Sequence, residues 1–438
     1  MLTKEENELL TRVGPGTPMG DVWRRYWIIA GTSGEIPTPD SPPVRVRLLG
    51  EDLVMFRDSN GQVGLLAEKC AHRRASLFYG RNEECGLRCI YHGWKYDASG
   101  NIVDTPAEPA QSMIKHHLKQ VAYPTHEANG IIMTYMGPKE KQPLVPNYEW
   151  LTLPPDHVRV EEKYWNENNW LQSIEGDCDS SHLNYLHRNA IDGKFQLAPG
   201  MADGLDFKVD VDGWLIRAAA IRHTAPGLHY IRTNFFALPA IGGPPQPAVN
   251  GISDGHQAVH QTPADDYHTW RIDVYTRRSE PIARTNDRGV YGWPGLEEGA
   301  LPVDEVWRKR ANQQNDYLID RAIQRTRVYA GIPFGPHTQD AAMTESMGPI
   351  SDRENEHLGL CDAQPIAIRQ LLLKVVRDVQ IGKDPPGVAF RAEDNNMGNI
   401  TLIHGTVPDH VDPFDVEMVQ KHLVASGVPR PEPTRQSA

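Results

Sequence analysis

Long apolar runs are missing from this 438-residue chain. A helix that crosses a bilayer needs roughly 18 consecutive apolar residues, and even Leu371-Leu372-Leu373 is followed at once by Lys374. No membrane span is expected. Blocks of basic residues are missing too, and a formal charge of −12 disfavours a polyanionic partner such as nucleic acid. Cysteine is scarce. Five thiols in such a length, with no secretory segment at Met1-Leu2-Thr3-Lys4-Glu5-Glu6, argue for a reducing, cytoplasmic compartment in which thiols serve as ligands rather than as a disulfide framework. Neither a Gly-x-Gly-x-x-Gly fingerprint nor a phosphate loop occurs, which excludes a nicotinamide or flavin held in the usual way.

What cysteine there is sits beside histidine. Cys70-Ala71-His72 and Cys89-Ile90-Tyr91-His92 are separated by sixteen residues. Two Cys and two His also suffice for tetrahedral zinc, but zinc fingers usually group Cys-x-x-Cys before His-x-x-x-His, whereas here each loop offers one donor of each kind. That is the donor set of a Rieske [2Fe-2S] centre, in which two thiolates hold one iron and two neutral imidazoles the other, with a potential of roughly −150 to +300 mV. The continuation Gly93-Trp94-Lys95-Tyr96 resembles Rieske loops. High-potential Rieske proteins carry an extra, disulfide-bonded Cys in each loop. Here Arg73 to Ala75 and Ile90-Tyr91 stand in those places, and Cys85 has no partner in the first loop, so the centre resembles the lower-potential one of ring-hydroxylating oxygenases.

The length leaves room for two or three domains, and a Rieske module needs only about a hundred residues. Val44-Arg45-Val46-Arg47-Leu48-Leu49 and Leu53-Val54-Met55-Phe56 flank Gly50-Glu51-Asp52, and Gly61 to Leu66 leads into the first ligand loop. These predict hairpins of a small antiparallel domain with the cluster at its tip. Gly130 to Met136 reads as its closing strand, and Pro138, Pro143, Pro146, Pro154 and Pro155 mark a boundary. Beyond it, Trp165 to Arg188 has helical character. Trp214 to His223, Leu228 to Leu238, Gln257 to Gln261 and Tyr267 to Thr276 read as strands, and Val303 to Tyr329 and Pro365 to Gln380 as amphipathic helices. The expected class is α+β: a small antiparallel β Rieske domain over 27–140, then a catalytic domain of antiparallel sheet flanked by helices over 150–427, with 1–26 packing against it. The Pro- and Arg-containing tail after Val428 reads as mobile.

A second concentration of ligand-type side chains occupies Glu175-Gly176-Asp177-Cys178-Asp179-Ser180-Ser181-His182-Leu183-Asn184-Tyr185-Leu186-His187. In isolation this is equally a surface helix with two uncoordinated histidines, and the Rieske motif upstream favours a metal. Non-haem iron enzymes hold Fe(II) by two His and one carboxylate on a single face, leaving the opposite positions open. His182 and His187 are the candidate imidazoles. An ideal α-helix would splay residues five apart by about 140°, so a π-bulge or a helix end is expected between them.

Asp179-x-x-His182-x-x-x-x-His187, downstream of a Rieske domain, resembles the signature of the large terminal subunit of Rieske non-haem iron aromatic ring-hydroxylating oxygenases. The resemblance implies that Asp179 is a bridge and not a ligand. It would hydrogen-bond His182 on one side and, across a subunit boundary, His92 or His72 of the next chain. The unit would be a homo-oligomer, a trimer or an α3α3 hexamer. Gln339 to Ile350, continuing through Asp352-Arg353 and Glu356-His357-Leu358-Gly359, resembles the carboxylate-ligand segment of the phthalate dioxygenase-like branch. Asp340 matches the iron ligand there, and Glu345 and Asp352 are the competing carboxylates, readable as helix-start or salt-bridging groups. Gly14 to Gly20, Arg73-Arg74-Ala75-Ser76-Leu77 and Asn169-Trp170-Leu171-Gln172 extend the resemblance over nearly the full chain.

The implied protein is a terminal oxygenase component. A [2Fe-2S] cluster would deliver single electrons, mononuclear Fe(II) would activate O2 beside a small aromatic substrate, and a separate reductase with flavin and ferredoxin centres would draw the electrons from NADH or NADPH. Phthalate-like ring dihydroxylation of an aromatic carboxylate is the first expectation. O-demethylation of an aromatic ether, or another monooxygenation, uses the same machinery, and a Rieske electron carrier or a zinc-stabilised binding protein is the reading from another class. Ile174, Trp214, Tyr230, Phe235 and Phe236 are candidate apolar walls. Arg217, Arg222 and Arg232 are candidates to receive a carboxylate by a bidentate contact, each also readable as a solvated strand residue.

Overall fold

The computed structural model describes residues 1–189, 205–246, 248–249, 251–282, 307–332, 335–398 and 400–424. Its first unit contains three small antiparallel sheets. Val44–Leu48, Glu51–Arg57, Val63–Ala67 and Ala122–Tyr123 pair in that order, and Ile131–Tyr135 pairs with both Trp27–Thr32 and Thr125–Ala128. Arg81–Asn82, Leu87–Arg88, Lys95–Tyr96 and Ile102–Asp104 make the third. Alternation in Val44–Leu48 turns Val46 and Leu48 into the core and leaves Arg45 exposed, as a half-buried strand requires. The following turn, Leu49-Gly50, has positive φ at both residues, 49° and 80°, the geometry that matches strand twist in tight hairpins. Its amides donate to Pro263 O at 3.0 Å and Ala264 O at 2.8 Å, which pins this hairpin to the second unit.

The second unit is built on one eight-stranded antiparallel sheet. Its order is Val158–Asn166, Thr269–Thr276, Gln257–Pro263, Ile241–Gly243, Leu228–Ala237, Leu215–Ala225 and Leu205–Asp212, with His404–Pro408 also pairing to Leu228–Ala237. One face packs on the helix Trp170–Cys178, the long helix Ala363–Gln380 and the N-terminal helices Lys4–Thr11 and Pro18–Trp23, through Ile216, Phe236, Ile174, Leu372 and Trp23 among others. Trp23 meets Trp170 edge to face at 5.1 Å. The opposite face carries Phe235, Ile272 and Val274 and packs on Tyr148, Trp150 and the first unit's Trp27, Met133 and Tyr135. A mixed α+β architecture with its helices on a central antiparallel sheet results, as the sequence predicts.

Two local expectations change. Within Trp165 to Arg188 only Trp170–Cys178 is α-helical; Trp165 belongs to the strand before it, and His182–Asn184 is a single 3-10 turn. The helix ends ahead of both histidines and not between them, with no π-turn among the described residues there. The cause is Asp179, extended at φ −77°, ψ 126°, whose carboxylate accepts the amides of Ser181 at 2.7 Å and His182 at 3.2 Å, a side-chain turn that competes with helix propagation. Of Val303 to Tyr329, residues 303–306 lie outside the described residues. The rest is a 3-10 turn, Gln313–Leu318, and a short helix, Arg321–Thr326. Asp316, Tyr317 and Leu318 all have positive φ, and the buried Tyr317 hydroxyl donates to Glu345. Pro365 to Gln380 is helical as expected, within Ala363–Gln380. The tail after Val428 lies outside the described residues. No helix among the described residues is long and apolar enough to cross a membrane.

Candidate metal centres

The two cysteine loops are conformational copies. Cys70 N–H donates to Ala75 O and Cys89 N–H to Trp94 O, each at 2.8 Å; Arg74 N–H and Gly93 N–H donate back to Cys70 O and Cys89 O, each at 2.9 Å. Each loop turns through a residue of positive φ four places after its cysteine, Arg74 at 63° and Gly93 at 79°. At Gly93 space adds to conformation, since a Cβ there would lie 2.6 Å from Pro106 Cγ. Cys70 and Cys89 are buried beside Leu77, Leu87, Trp94 and Tyr96, and Tyr96 Oη lies 2.9 Å from Cys70 Sγ. Burial pushes the Cys89 thiol up, with the neighbouring Cys70 adding to the shift. The rings of His72 and His92 lie 4.6 Å apart, and Trp94 stacks on His72 at 4.5 Å. Thiols adjoin thiols and imidazoles adjoin imidazoles, which fits a binuclear cluster better than one tetrahedral ion.

The second site assembles from two segments. His182 Nδ1 lies 3.2 Å from Asp179 Oδ2, and His187 Nδ1 lies 2.8 Å from Gln339 Oε1. With each Nδ1 engaged, the Nε2 atoms face one another at 3.1 Å. Asp340 Oδ1 stands 2.9 Å from His187 Nε2 and 3.6 Å from His182 Nε2. Among the described residues His182, His187 and Asp340 form a group whose ligand atoms all lie within 4.8 Å of one another. Three lone-pair donors aimed at one point suit a shared cation, and two imidazoles with one carboxylate suit Fe(II). Burial alone would raise the pKa of Asp340, but His187, His182 and Arg271 hold it well below the usual carboxylate range.

The competing carboxylates stand elsewhere. Glu345 is buried against Lys309 Nζ at 3.1 Å and the Glu167 amide at 3.2 Å, and Asp352 is exposed and accepts from Asn355 Nδ2 at 2.8 Å. The sequence reading missed Gln339, although it adjoins Asp340. It also missed a buried clamp in which Arg271 bonds Asp177 at 2.7 Å and Asp273 at 2.9 Å; no local pattern marks it.

A cavity of about 570 Å3 opens beside this site, lined by Asp179, His182, Asp340, Leu186, Ile319 and Met347 among others. Among the described residues its walls come from Gly176 to Leu186, as expected of the segment that carries the histidines, from 319–332 and from Asp340 to Met347, and none comes from the strands after Trp214. Ile174 and Phe236 instead pack in the helix-side core, and Phe235 in the core of the opposite face; Trp214 adjoins both. Of the candidate arginines, Arg217 is paired with Asp210 at 2.5 Å and lies over Phe414. Arg222 is buried, Arg232 half-buried and Tyr230 buried.

Residues 26–123 match the Rieske [2Fe-2S] domain family, and residues 134–422 match the LigXa C-terminal domain-like family. The chain is 36% identical over 406 residues to the phthalate 4,5-dioxygenase oxygenase subunit of Pseudomonas putida, with 90% of each chain covered. It is 39% identical over 421 residues to the 5,5'-dehydrodivanillate O-demethylase oxygenase subunit of a Sphingobium species, covering 92% of this chain and 87% of that one. Its fold resembles that of the NdmA protein of Pseudomonas putida CBB5 solved with theobromine, at a TM-score of 0.58 and 20% identity, over 86% of this chain and 94% of that one. With a Rieske domain joined to a LigXa-like domain and relatives matched over most of their length, the chain belongs to the Rieske non-haem iron oxygenases, as an oxygenase subunit of the phthalate dioxygenase-like branch that carries a [2Fe-2S] cluster and a mononuclear iron.

Proposed function

We propose that the chain is the terminal oxygenase of a multicomponent system that hydroxylates an aromatic carboxylate, by phthalate-like ring dihydroxylation, with electrons from NADH or NADPH passed through a separate reductase. The observation that carries this reading is the convergence of His182, His187 and Asp340, with Asp179 on the outer nitrogen of His182. Cys70, His72, Cys89 and His92 hold the cluster in the Rieske domain, 27–140, and His182, His187 and Asp340 hold the iron in the catalytic domain, 150–427, against which 1–26 packs. When bound, these groups supply single-electron delivery and O2 activation.

The chain's own residues set the route between them. Asp179 gives one oxygen to His182 and the other to Ser181, and its side chain is still 24% exposed, enough to meet a second imidazole from outside. Among the described residues neither His72 nor His92 of the same chain hydrogen-bonds it. Ile90 and Tyr91 are exposed beside His92, and Tyr185 and Met347 are exposed at the cavity next to Asp179. These apolar surfaces fit one another in a ring of at least three chains, a trimer or a hexamer, in which Asp179 receives His72 or His92 of the partner subunit. The compartment is the cytoplasm.

Similarity to the O-demethylase subunit supports a second outcome, in which a methyl group of an aromatic ether is hydroxylated and formaldehyde is lost. The reconstituted system, with reductase, NADH and Fe(II), is tested against phthalates, benzoates, and methoxy- and phenoxybenzoates. Oxygen uptake dependent on an aromatic acid supports the proposal, and formaldehyde release assigns the outcome to demethylation. A red-brown protein that takes up no oxygen with any of them is an electron carrier, and a colourless one holds zinc.

A further inference from the structure

Glu345 stands outside the metal group, yet it is buried and fully engaged. Its Oε1 meets Lys309 Nζ at 3.1 Å and the Glu167 amide at 3.2 Å, and its Oε2 accepts the Tyr317 hydroxyl. Lys309 also donates to Trp165 O at 3.0 Å and to Asn166 Oδ1 at 2.7 Å, so the carboxylate is fastened to the end of the strand Val158–Asn166. Burial and the adjacent Glu345 push the Tyr317 hydroxyl well above its ordinary range, which keeps its proton in place and makes it the donor.

What this tyrosine holds is strained. Asp316, Tyr317 and Leu318 have φ of 51°, 52° and 51°, and none is glycine. The left-handed region is costly for each of them, and such a conformation persists only where the surroundings over-determine it. Asp316 and Leu318 are exposed. Tyr317 supplies the hold, with its ring packed in one cluster with Ile332, Ala341 and Ala342 and its hydroxyl on Glu345. The next residue, Ile319, begins the cavity wall 319–332. That wall closes on itself, since the Asp320 amide donates to Gly331 O at 2.8 Å, and its last residue, Ile332, accepts Gln339 Nε2 at 2.9 Å. The helix Pro336–Ser346 therefore fastens the wall twice, at Glu345 through the turn before it and at Gln339 through its end. Met343 and Thr344 of the same helix also line the cavity.

We propose that Tyr317 is a specificity-determining positioning residue, whose hydrogen bond to Glu345 keeps the turn 316–318 wound and so fixes the wall 319–332 against the cavity beside His182 and Asp340. The identity of the ligand rests on the aromatic-acid oxygenase reading, to which the turn adds a selection by size. With the wall fixed, a flat single-ring acid is enclosed between loop and helix. With the turn unwound the wall recedes, and the preference for the smaller acid falls.

The test combines hydrogen–deuterium exchange with calorimetric titration of the iron-loaded full-length protein, on the wild type, Tyr317→Phe, and Tyr317→Phe joined with Asp316→Gly. Phenylalanine keeps the packing of the ring and removes only the hydroxyl. Glycine accepts a positive φ without penalty, so at the exposed Asp316 it removes part of the strain that unwinds the turn. Without ligand, the amides of 319–332 should exchange about tenfold faster or more in Tyr317→Phe and return toward the wild-type rate in the double variant. With benzoate and 3-phenoxybenzoate as probes, the ratio of the two dissociation constants should move about tenfold toward the larger acid in Tyr317→Phe, and move back in the double variant. A merely structural loss would weaken both acids alike. Unchanged exchange or an unchanged ratio in Tyr317→Phe overturns the proposal, and so does a change that Asp316→Gly fails to reverse. A wall that loosens and recovers in this way, in a protein that binds neither acid, refutes the aromatic-acid reading alone. Binding of both acids with exchange and ratio unmoved refutes the role of Tyr317 alone.

Discussion

Gln339 accepts a hydrogen bond from His187 Nδ1 at 2.8 Å, and its own amide is fixed by donation to Ile332 O at 2.9 Å. The next residue, Asp340, meets the opposite nitrogen of the same ring at 2.9 Å. Two successive helix residues thus hold the two ends of one imidazole, and the bond at Nδ1 leaves Nε2 free to coordinate a metal in the proposed site. Gln339→Leu frees the ring. Loss of such a partner typically costs 10- to 100-fold in metal affinity, so mononuclear iron retained after dialysis against a chelator should fall by about that factor. The visible absorption of the cluster should not change.

Asp179→Asn keeps the shape of the turn but removes the charge. The carboxylate is held below its ordinary range because the His182 and Ser181 contacts outweigh its burial, so the native group is an anion beside His182. Substrate-dependent oxygen uptake should fall by about 10- to 100-fold or more, while cluster absorption and iron content stay near wild type. Single-turnover mixing of reduced protein with oxygen and substrate should leave the cluster reduced. Normal reoxidation in this variant would remove Asp179 from the electron route.

The cluster loops were legible because their candidate ligands are neighbours: Cys70 with His72, and Cys89 with His92, need only a short loop to meet. His182 and His187 were legible as a pair for the same reason. The turn between them was misjudged because the residue that ends the helix, Asp179, does so through a side-chain bond to two amides, which periodicity cannot express. Arg271 and Asp177 lie 94 residues apart, and nothing local to either announces the other. The arginines show a sharper limit. Alternation states that Arg217 and Arg222 look to opposite faces, but which face meets the metal loop is settled by Asn234 reaching Ser180, a tertiary fact.

Tyr96 Oη lies 2.9 Å from Cys70 Sγ, and a donor to a ligating sulfur stabilises the more negative, reduced cluster. Tyr96→Phe removes that bond and should lower the reduction potential. A net hydrogen bond of about 1 kcal/mol corresponds to about 40 mV for one electron, a shift that spectroelectrochemical titration resolves. Tyr96 is buried in the core below the cluster, and Phe preserves that packing. A potential unchanged within error would show that the hydroxyl points its proton elsewhere.

Glu175 joins the helix Trp170–Cys178, which ends ahead of the histidine pair, to two neighbours, with Oε2 at 2.9 Å from Arg353 Nη2 and Oε1 at 2.6 Å from Arg369 Nε. Burial alone would raise its pKa, but the two guanidiniums win and hold it below the ordinary value of 4.5. A carboxylate depressed on folding contributes stability above its unfolded pKa and loses it as pH falls through the folded value. Glu175→Gln leaves fully buried Arg353 without its ionic partner, which typically costs about 3–5 kcal/mol. Urea unfolding should therefore show a gap of that size between wild type and variant, constant from pH 7 down to about pH 4.5. Below that the wild-type carboxylate begins to protonate and its ionic contribution is lost, whereas the amide of the variant has no proton to gain, so the gap should close with further acid. A gap that persists unchanged well below the ordinary carboxylate value would mean that the ion pair does not tie the helix Trp170–Cys178 to Ala363–Gln380 in the way its distances indicate.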